Sequence, residues 1–261
     1  MNILRIGCVK YLNARPLIRG WPGEVDFDHP SALCKRLADG ELDVALVSSF
    51  EFLRNPIYRI VDDVSISSDG PVYSVVVAHR GDISEIKEIE LDPASQTAVN
   101  LLRCLHAEVG FNPRLVRRNT GVSPAGAKSI SARRAQLLIG DQAIRFRESH
   151  AGEFRFWDLG EQWKKLIGLP FVYALWLIRP EVPDVKTIAS LLRALRDENL
   201  ADLDRLVSAE TEFDHQFCAS YYRQHLRFSF GEEEKEGLRT FVKLCARHGL
   251  LEESDLRFDL V

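Results

Sequence analysis

The chain has 261 residues, of which 46% are hydrophobic, and a formal net charge of −4. That length and apolar content are enough for one large domain or two smaller ones with a substantial core. The acidic balance argues against a nucleic-acid-binding or membrane-surface protein, because both need a basic face. No apolar run approaches the ~20 residues of a membrane span, so we expect no membrane association.

The amino-terminal stretch and the cysteines indicate a cytoplasmic protein. "MNILRIGCVKYLNARPL" has no positive region followed by a long apolar one, so it predicts a strand entering a loop and not a signal peptide. The five cysteines are widely spaced without a CxxC pair, which predicts buried, reduced thiols. The histidines show no HxxxH spacing. We expect no metal and no other cofactor.

Apolar runs typical of strands alternate with helical patterns through the first two thirds of the chain. Strands are predicted over residues 3–9, 42–48, 71–80, 86–92, 113–118, 135–140 and 171–180. Helices are predicted over 31–39, 50–55 and 97–110, and over most of the chain after residue 180. This alternation is typical of an α/β fold.

The strands predicted over 71–80 and 171–180 are the two longest runs, and they bracket a central segment with its own β-α-β alternation. A chain that leaves one lobe, builds a second and returns makes two lobes joined by two crossing strands, with a cleft between them. We therefore predict lobe one over residues 1–72 and 175–261, and lobe two over residues 73–174. A single continuous sheet is the alternative.

Polar residues around the first lobe are candidates for a ligand site. Asn13 follows the first strand at the sheet edge where open α/β folds bind ligands; an Asx turn is the alternative. Ser67, Ser68 and Gly70 precede the first crossing strand and offer neutral donors with close backbone approach; an ordinary turn is the alternative. Ser74 lies within that strand, and the alternation of side chains between the two faces of a strand does not decide whether Ser74 points into the cleft.

The stretch "LDPASQTAVNLLR" predicts a strand that ends at Asp92-Pro93 and a helix capped by Ser95 or Thr97. The first N–H groups of a helix lack partners and carry partial positive charge, so this junction can bind a carboxylate without lysine or arginine. A plain N-cap is the alternative. Asp141 follows a later strand, where it either accepts from a substrate hydroxyl or caps the next helix.

Six stretches together resemble one family over nearly the whole chain. They are "GCVKYLNARPL", "SSDGPVYSVVV", "LDPASQTAVNLLR", "LLIGDQAI", "WDLGEQWKKLIGLPFVYALWLI" and "YYRQHLRFSFGEEEKEGLRTFV". The fifth is the most specific. The family is that of the MqnA-type chorismate dehydratases of the futalosine route to menaquinone, in the wider MqnA/MqnD group.

The resemblance implies a type II periplasmic-binding-protein fold and a carbon–oxygen lyase that removes water from chorismate. The product is 3-[(1-carboxyvinyl)oxy]benzoate, the partner is this small dicarboxylate, and the sequence leaves monomer or homodimer open. The implied catalytic residues are Asn13 and Ser74. The implied substrate-binding residues are Ser67, Ser68, Gly70, Ser95, Gln96, Thr97 and Asp141.

The helix start departs from the family pattern, since Gln96 and Ala98 stand where the family often has arginine and a second serine. No histidine or glutamate in the matched stretches is an evident base. We therefore hypothesise that the enolpyruvyl carboxylate of the substrate takes the ring proton, while Asn13 and Ser74 orient that carboxylate and the leaving hydroxyl. Two alternatives remain: an MqnD-type 1,4-dihydroxy-6-naphthoate synthase with a histidine base such as His150, and a non-catalytic cytoplasmic protein that binds or senses small carboxylates.

Overall fold

A computed structural model describes residues 4–92, 94–117 and 130–261. The predicted strand residues Ile3 and Arg118 and the predicted strand end Pro93 lie outside the described residues. The strands are β1 Ile6–Cys8, β2 Val25–Phe27, β3 Val44–Ser48, β4 Arg59–Ser68, β5 Val75–His79, β6 Glu88–Leu91, β7 Arg114–Arg117, β8 Arg134–Ile139, β9 Arg155–Asp158 and β10 Phe171–Ile178.

The helices are α1 Arg15–Ile18, α2 Pro30–Ala38, α3 Ser49–Arg54, α4 Gln96–Glu108, α5 Gly140–Ser149, α6 Leu159–Ile167, α7 Val185–Ala201, α8 Leu203–Ser208, α9 His215–Ser220 and α10 Glu232–Arg247. A 3-10 turn spans Leu12–Ala14 and a π-helical turn spans Tyr221–His225. No helix in the described part of the chain is long and apolar enough to cross a membrane.

Within the described residues the strands form two five-stranded sheets, in the orders β2-β1-β3-β10-β4 and β7-β6-β8-β5-β9. In each sheet the first three strands are parallel and the fourth runs antiparallel to both neighbours. That fourth strand is β10 or β5, the one that follows a crossing between the lobes. The prediction of two α/β lobes is therefore confirmed, and a single continuous sheet is wrong.

The crossings lie beside the strands predicted to form them. β5 begins only at Val75, so residues 69–74 form the first crossing. Pro71 cannot donate to a strand ladder, and Tyr73 has a positive φ of 67°, so the run predicted over 71–80 breaks there. The second crossing ends before Phe171, which already pairs with Ser68 in the first sheet. Residues 171–174 thus pair in the sheet of lobe one, whereas the predicted boundary assigned them to lobe two.

Strand β4 was not predicted, and it carries Ser67 and Ser68 within the sheet instead of in a turn. Two aspartates and three serines interrupt its apolar pattern. Its outer edge is paired as well: Ser65 N donates to Phe228 O at 3.3 Å and Ile60 N to Asp259 O at 2.8 Å. β2, β9 and α6 were also missed.

An aromatic cluster packs around the second crossing. Trp163 of α6 lies 5.0 Å from Phe171 of β10 and 6.0 Å from Phe241 of α10, measured between ring centroids. The indole Nε1 of Trp163 donates to Pro170 O at 3.3 Å. The helices predicted after residue 180 are confirmed. They pack on lobe one, and α10 reaches this cluster through Phe241.

Candidate active site

A cavity of about 70 Å³ lies between the two lobes. Its polar lining comes from Tyr11, Asn13 and Ser48 of lobe one, Ser95 of lobe two, and Tyr173 of β10. None of the described residues that line it is charged. Ligand pockets in proteins usually measure about 300–1,000 Å³, so this cavity is smaller than a small organic ligand needs, and the lobes must part to admit one.

Four helix N-termini meet at the cavity, two from each lobe. Pro30 begins α2, Ser48 is the N-cap of α3, Ser95 is the N-cap of α4, and Gly140 begins α5; all four line the cavity. Of the four residues that immediately precede these helices, only Ser95 caps its helix with its side chain, which accepts from Ala98 N at 3.2 Å. Partial positive charge from the helix dipoles therefore faces a space without a cation, which suits a bound anion.

Asn13 lies on the 3-10 turn at the cavity wall. Its Oδ1 is buried and accepts no hydrogen bond from any described residue. The Asx-turn alternative is therefore wrong, because Oδ1 does not bond to its own backbone. A buried carbonyl oxygen without a donor costs about 1–3 kcal/mol, so this atom indicates a place for a ligand donor.

The turn that carries Asn13 is held from both sides. Leu12 N donates to Asp141 Oδ1 of lobe two at 2.8 Å, and Leu12 O accepts from the Tyr222 hydroxyl at 3.0 Å. A Cβ on Gly140, whose φ is +55°, would lie 2.8 Å from the ring of Tyr11. Asp141 therefore bridges the lobes through Leu12. The sequence suggested either a substrate contact or a helix cap for Asp141, and this contact is neither of them. The substrate contact of Asp141 stays a prediction.

Thr97 also bridges the lobes and does not line the cavity. Its N–H donates to Ser48 Oγ at 3.1 Å, and its Oγ1 accepts from Phe50 N at 3.1 Å. The two side chains of Ser48 and Thr97 also share a hydrogen bond. Sequence reasoning missed Ser48, although it ends a predicted strand at the same sheet edge as Asn13.

Tyr173 is a second cavity residue that sequence reasoning missed. It sits at a register shift of β10 between Val172 and Ala174, and its hydroxyl lies 3.1 Å from Ser68 Oγ. Ser68 Oγ also donates to Gly70 O at 3.1 Å. Ser68 and Gly70 therefore adjoin the site through Tyr173, and a bulge of this kind has no mark in the sequence.

Ser67, Ser74 and Gln96 do not line the cavity either. Ser67 Oγ donates to Arg227 O at 3.3 Å, and Gln96 is the first residue of α4. Ser74 is buried and lies in the chain between Val72 and Val75, which line the cavity, but its Oγ accepts from the Tyr221 hydroxyl at 2.6 Å. The predicted roles of these three residues stay predictions.

Asp158, within the most specific of the six stretches, fastens the first crossing to lobe two. Its carboxylate accepts from Val72 N at 3.0 Å, Tyr73 N at 2.8 Å and Gly160 N at 3.0 Å. The guanidinium of Arg147 lies 3.8 Å from the Tyr73 ring centroid and donates to Tyr73 O. Burial raises the pKa of Asp158, although the N–H groups of Val72, Glu161 and Tyr73 and the charge of Arg147 lower it.

Two mixed sheets with two crossings and a ligand cleft define the class of periplasmic-binding-protein folds. A protein of Archaeoglobus fulgidus superposes with a TM-score of 0.73 at 18% identity, covering 95% of this chain and 98% of that one. The periplasmic aliphatic sulphonate binding protein of Escherichia coli superposes at 0.63 and 13% identity, covering 96% and 94%. At these identities the likeness concerns the fold alone, and the predicted fold class is confirmed.

The family model for menaquinone biosynthesis matches residues 4–247. A chorismate dehydratase of Thermus thermophilus is 31% identical over 258 residues, which cover 91% of this chain and 93% of that protein. A chorismate dehydratase of Campylobacter jejuni is 23% identical over 237 residues, covering 90% of each. The chain belongs to this menaquinone-biosynthesis family, that of the MqnA-type chorismate dehydratases, and the predicted resemblance is confirmed.

Proposed function

We propose that the protein is a chorismate dehydratase, a hydro-lyase that converts chorismate and releases water. Family membership supports the reaction, and the buried, unpartnered Asn13 Oδ1 inside an uncharged cavity is the observation that carries it. The proposal includes the futalosine route to menaquinone and a cytoplasmic location. The five cysteines, all buried and free, support a reducing compartment.

Chorismate fits the cavity by chemistry. As a dianion it presents two carboxylates, which suit helix N-termini from both lobes, and a single hydrogen-bond donor, the ring hydroxyl. Asn13 Oδ1 needs a donor, so it accepts from that hydroxyl and holds it in one orientation. The Asn13 amide hydrogens remain available for the enolpyruvyl carboxylate.

The reaction needs a base, and no histidine supplies one at this cavity. All seven histidines lie among the described residues and none lines it; His150 instead stacks on Phe146 at 4.3 Å. The enolpyruvyl carboxylate therefore takes the ring proton. The electron pair of the broken C–H bond becomes the new ring double bond, the C–O pair leaves with oxygen, and that oxygen takes the proton to become water. Positioning of this kind supplies up to about 7–11 kcal/mol in favourable intramolecular cases.

Incubation with chorismate tests the proposal. We expect the ultraviolet spectrum of chorismate to disappear while proton NMR shows aromatic signals and mass spectrometry shows loss of one water. Tight binding without turnover would indicate the sensing protein, and neither binding nor turnover would leave the naphthoate synthase; either result overturns the dehydratase.

Substitution of Asn13 tests the site. Asn13→Ala removes the acceptor and the amide donors, and we expect turnover to fall about 100-fold or more, as for other oriented donors at reacting centres. Asn13→Asp adds a carboxylate to a cavity without a charged lining, so repulsion of the dianion should raise KM. Asn112→Ala, at an exposed asparagine of lobe two, is the matched control. If Asn13→Ala and Ser74→Ala both keep wild-type turnover, the site is elsewhere.

A further inference from the structure

Two consecutive tyrosines on the π-helical turn bond to residues that are chain neighbours of the cavity lining. The Tyr221 hydroxyl donates to Ser74 Oγ at 2.6 Å, and the Tyr222 hydroxyl donates to Leu12 O at 3.0 Å. Both side chains are buried. π-helical turns are rare and occur frequently at functional sites, because the extra residue redirects side chains that an α-helix would send elsewhere.

The partners of both hydroxyls adjoin the proposed reacting groups. Leu12 precedes Asn13, and its N–H is already bonded to Asp141, so the Tyr222 hydroxyl completes a clamp on the turn that presents Asn13. Ser74 lies in the first crossing next to Val75, which lines the cavity. Because its Oγ accepts from Tyr221, the proton of Ser74 is free to point in another direction.

Packing alone does not explain the two hydroxyls. The Tyr221 ring stacks on Phe217 at 5.6 Å with an interplanar angle of 13°, and the Tyr222 ring lies 6.3 Å from Phe228. Phenylalanine would make the same ring contacts without burying an oxygen. A buried hydroxyl is costly unless it is bonded, and here each bond goes to a residue next to the cavity lining and far away in the sequence.

We propose that Tyr221 and Tyr222 are positioning residues of the elimination, Tyr222 fixing the turn of Asn13 and Tyr221 fixing the hydroxyl of Ser74. The inference rests on the proposed function for its turnover measurements. Burial raises the pKa of both tyrosines, so each stays a hydrogen-bond donor across the physiological range.

The test compares three tyrosine-to-phenylalanine variants in the full chain. Tyr222→Phe and Tyr221→Phe each remove one hydroxyl and keep the ring. Tyr58→Phe is the matched control, since Tyr58 is fully buried, its hydroxyl accepts from Asn55 Nδ2 at 3.4 Å, and it does not line the cavity. We expect kcat with chorismate to fall 10- to 100-fold in Tyr222→Phe and in Tyr221→Phe with KM nearly unchanged, because small displacements of positioning groups cost about that much. Tyr58→Phe should change kcat less than two-fold.

A second measurement separates positioning from a general loss of rigidity. The side-chain amide resonances of Asn13, assigned as the pair missing in Asn13→Ala, should shift in Tyr222→Phe and not in Tyr58→Phe. If Tyr58→Phe lowers kcat as much as the other two, or if the Asn13 resonances do not move in Tyr222→Phe, the inference is overturned. If the wild-type protein does not turn over chorismate, the proposed function fails instead, and the resonances still decide whether Tyr222 positions Asn13.

Discussion

Asp141 is one of the residues whose sequence interpretation the structure changes most. Its carboxylate is bonded to Leu12 N across the cleft. Burial raises the pKa of Asp141 from 3.8 to about 6, against the lowering by the Leu12 N–H, Arg15 and Arg145, while Glu212 raises it further. Cys218 and the tyrosines at positions 11, 221 and 222 also sense its charge.

This raised pKa predicts a pH-dependent stability. In the unfolded chain the carboxylate has a pKa near 3.8, whereas in the folded protein its pKa is about 6. Ionisation of Asp141 therefore lowers the free energy of unfolding progressively between pH 3.8 and about 6, and by the full amount above that range. Asp141→Asn cannot ionise, and its Oδ1 still accepts from Leu12. We expect its Tm relative to wild type to rise as the pH increases from 3.8 to about 6 and then to stay level.

Thermal unfolding across that pH range measures the difference, and subtraction removes other titrating groups common to both proteins. Asp255→Asn, at an exposed aspartate, serves as control and should follow wild type throughout. A constant offset between Asp141→Asn and wild type would show that Asp141 ionises normally.

At the scale of elements, the start of α6 packs directly against the first crossing, and there is no space for a side chain at Gly160. A Cβ on Gly160 would lie 2.5 Å from Gly70 O, 2.7 Å from the Tyr173 hydroxyl and 2.8 Å from Ser68 Oγ. The closest of these atoms is backbone, so the neighbour cannot simply rotate away. This contact explains the glycine in the most specific stretch of the sequence.

Gly160→Ala therefore sets two effects against each other. Alanine favours a helix over glycine by about 1 kcal/mol, but overpacking against a backbone atom costs about 1–3 kcal/mol and displaces Tyr173. We expect a net loss of stability in denaturant titration and slower turnover of chorismate. Lys165→Ala, at an exposed position of the same helix, should change neither; a Gly160→Ala protein more stable than wild type would contradict the close contact.

Local patterns predicted the elements that depend on local chemistry. The apolar run of β10 was predicted correctly, and Ser95 is the cap out of the two candidates, Ser95 and Thr97, that the sequence left open; neighbours in sequence determine both features. The contacts of Thr97 with Ser48 and of Asp141 with Leu12 join residues far apart in the chain, so no local pattern contains them. Tyr173 depends on a register shift, which strand pairing determines.

At the scale of the whole molecule, the two lobes also touch away from the cleft. Cys104 of α4 and Cys245 of α10 are fully buried, with their sulfurs 3.7 Å apart. The hydrogen bond with Cys104 and burial raise the pKa of Cys245, so the reactive Cys245 thiolate is scarce and its oxidation is slow. A disulfide here would join lobe two to lobe one.

Prolonged treatment with a strong thiol oxidant should form that disulfide, as shown by peptide mass mapping. We expect the cross-link to raise stability by about 2–4 kcal/mol and to lower chorismate turnover at least ten-fold, because the cavity must open to admit substrate. Cys104→Ser under the same oxidant should keep its activity. Full turnover by the cross-linked protein would show that α4 and α10 keep their spacing while the cleft opens.

The place of β10 between β3 and β4 has a consequence for biosynthesis. The described strands of the second sheet lie between residues 75 and 158, so they have emerged from the ribosome while the first sheet still has a gap. That gap closes only after residue 178 has emerged as well. The nascent chain therefore completes the sheet of lobe two first, while the sheet of lobe one still lacks β10. At that stage β3 and β4 expose unpaired edges to chaperones.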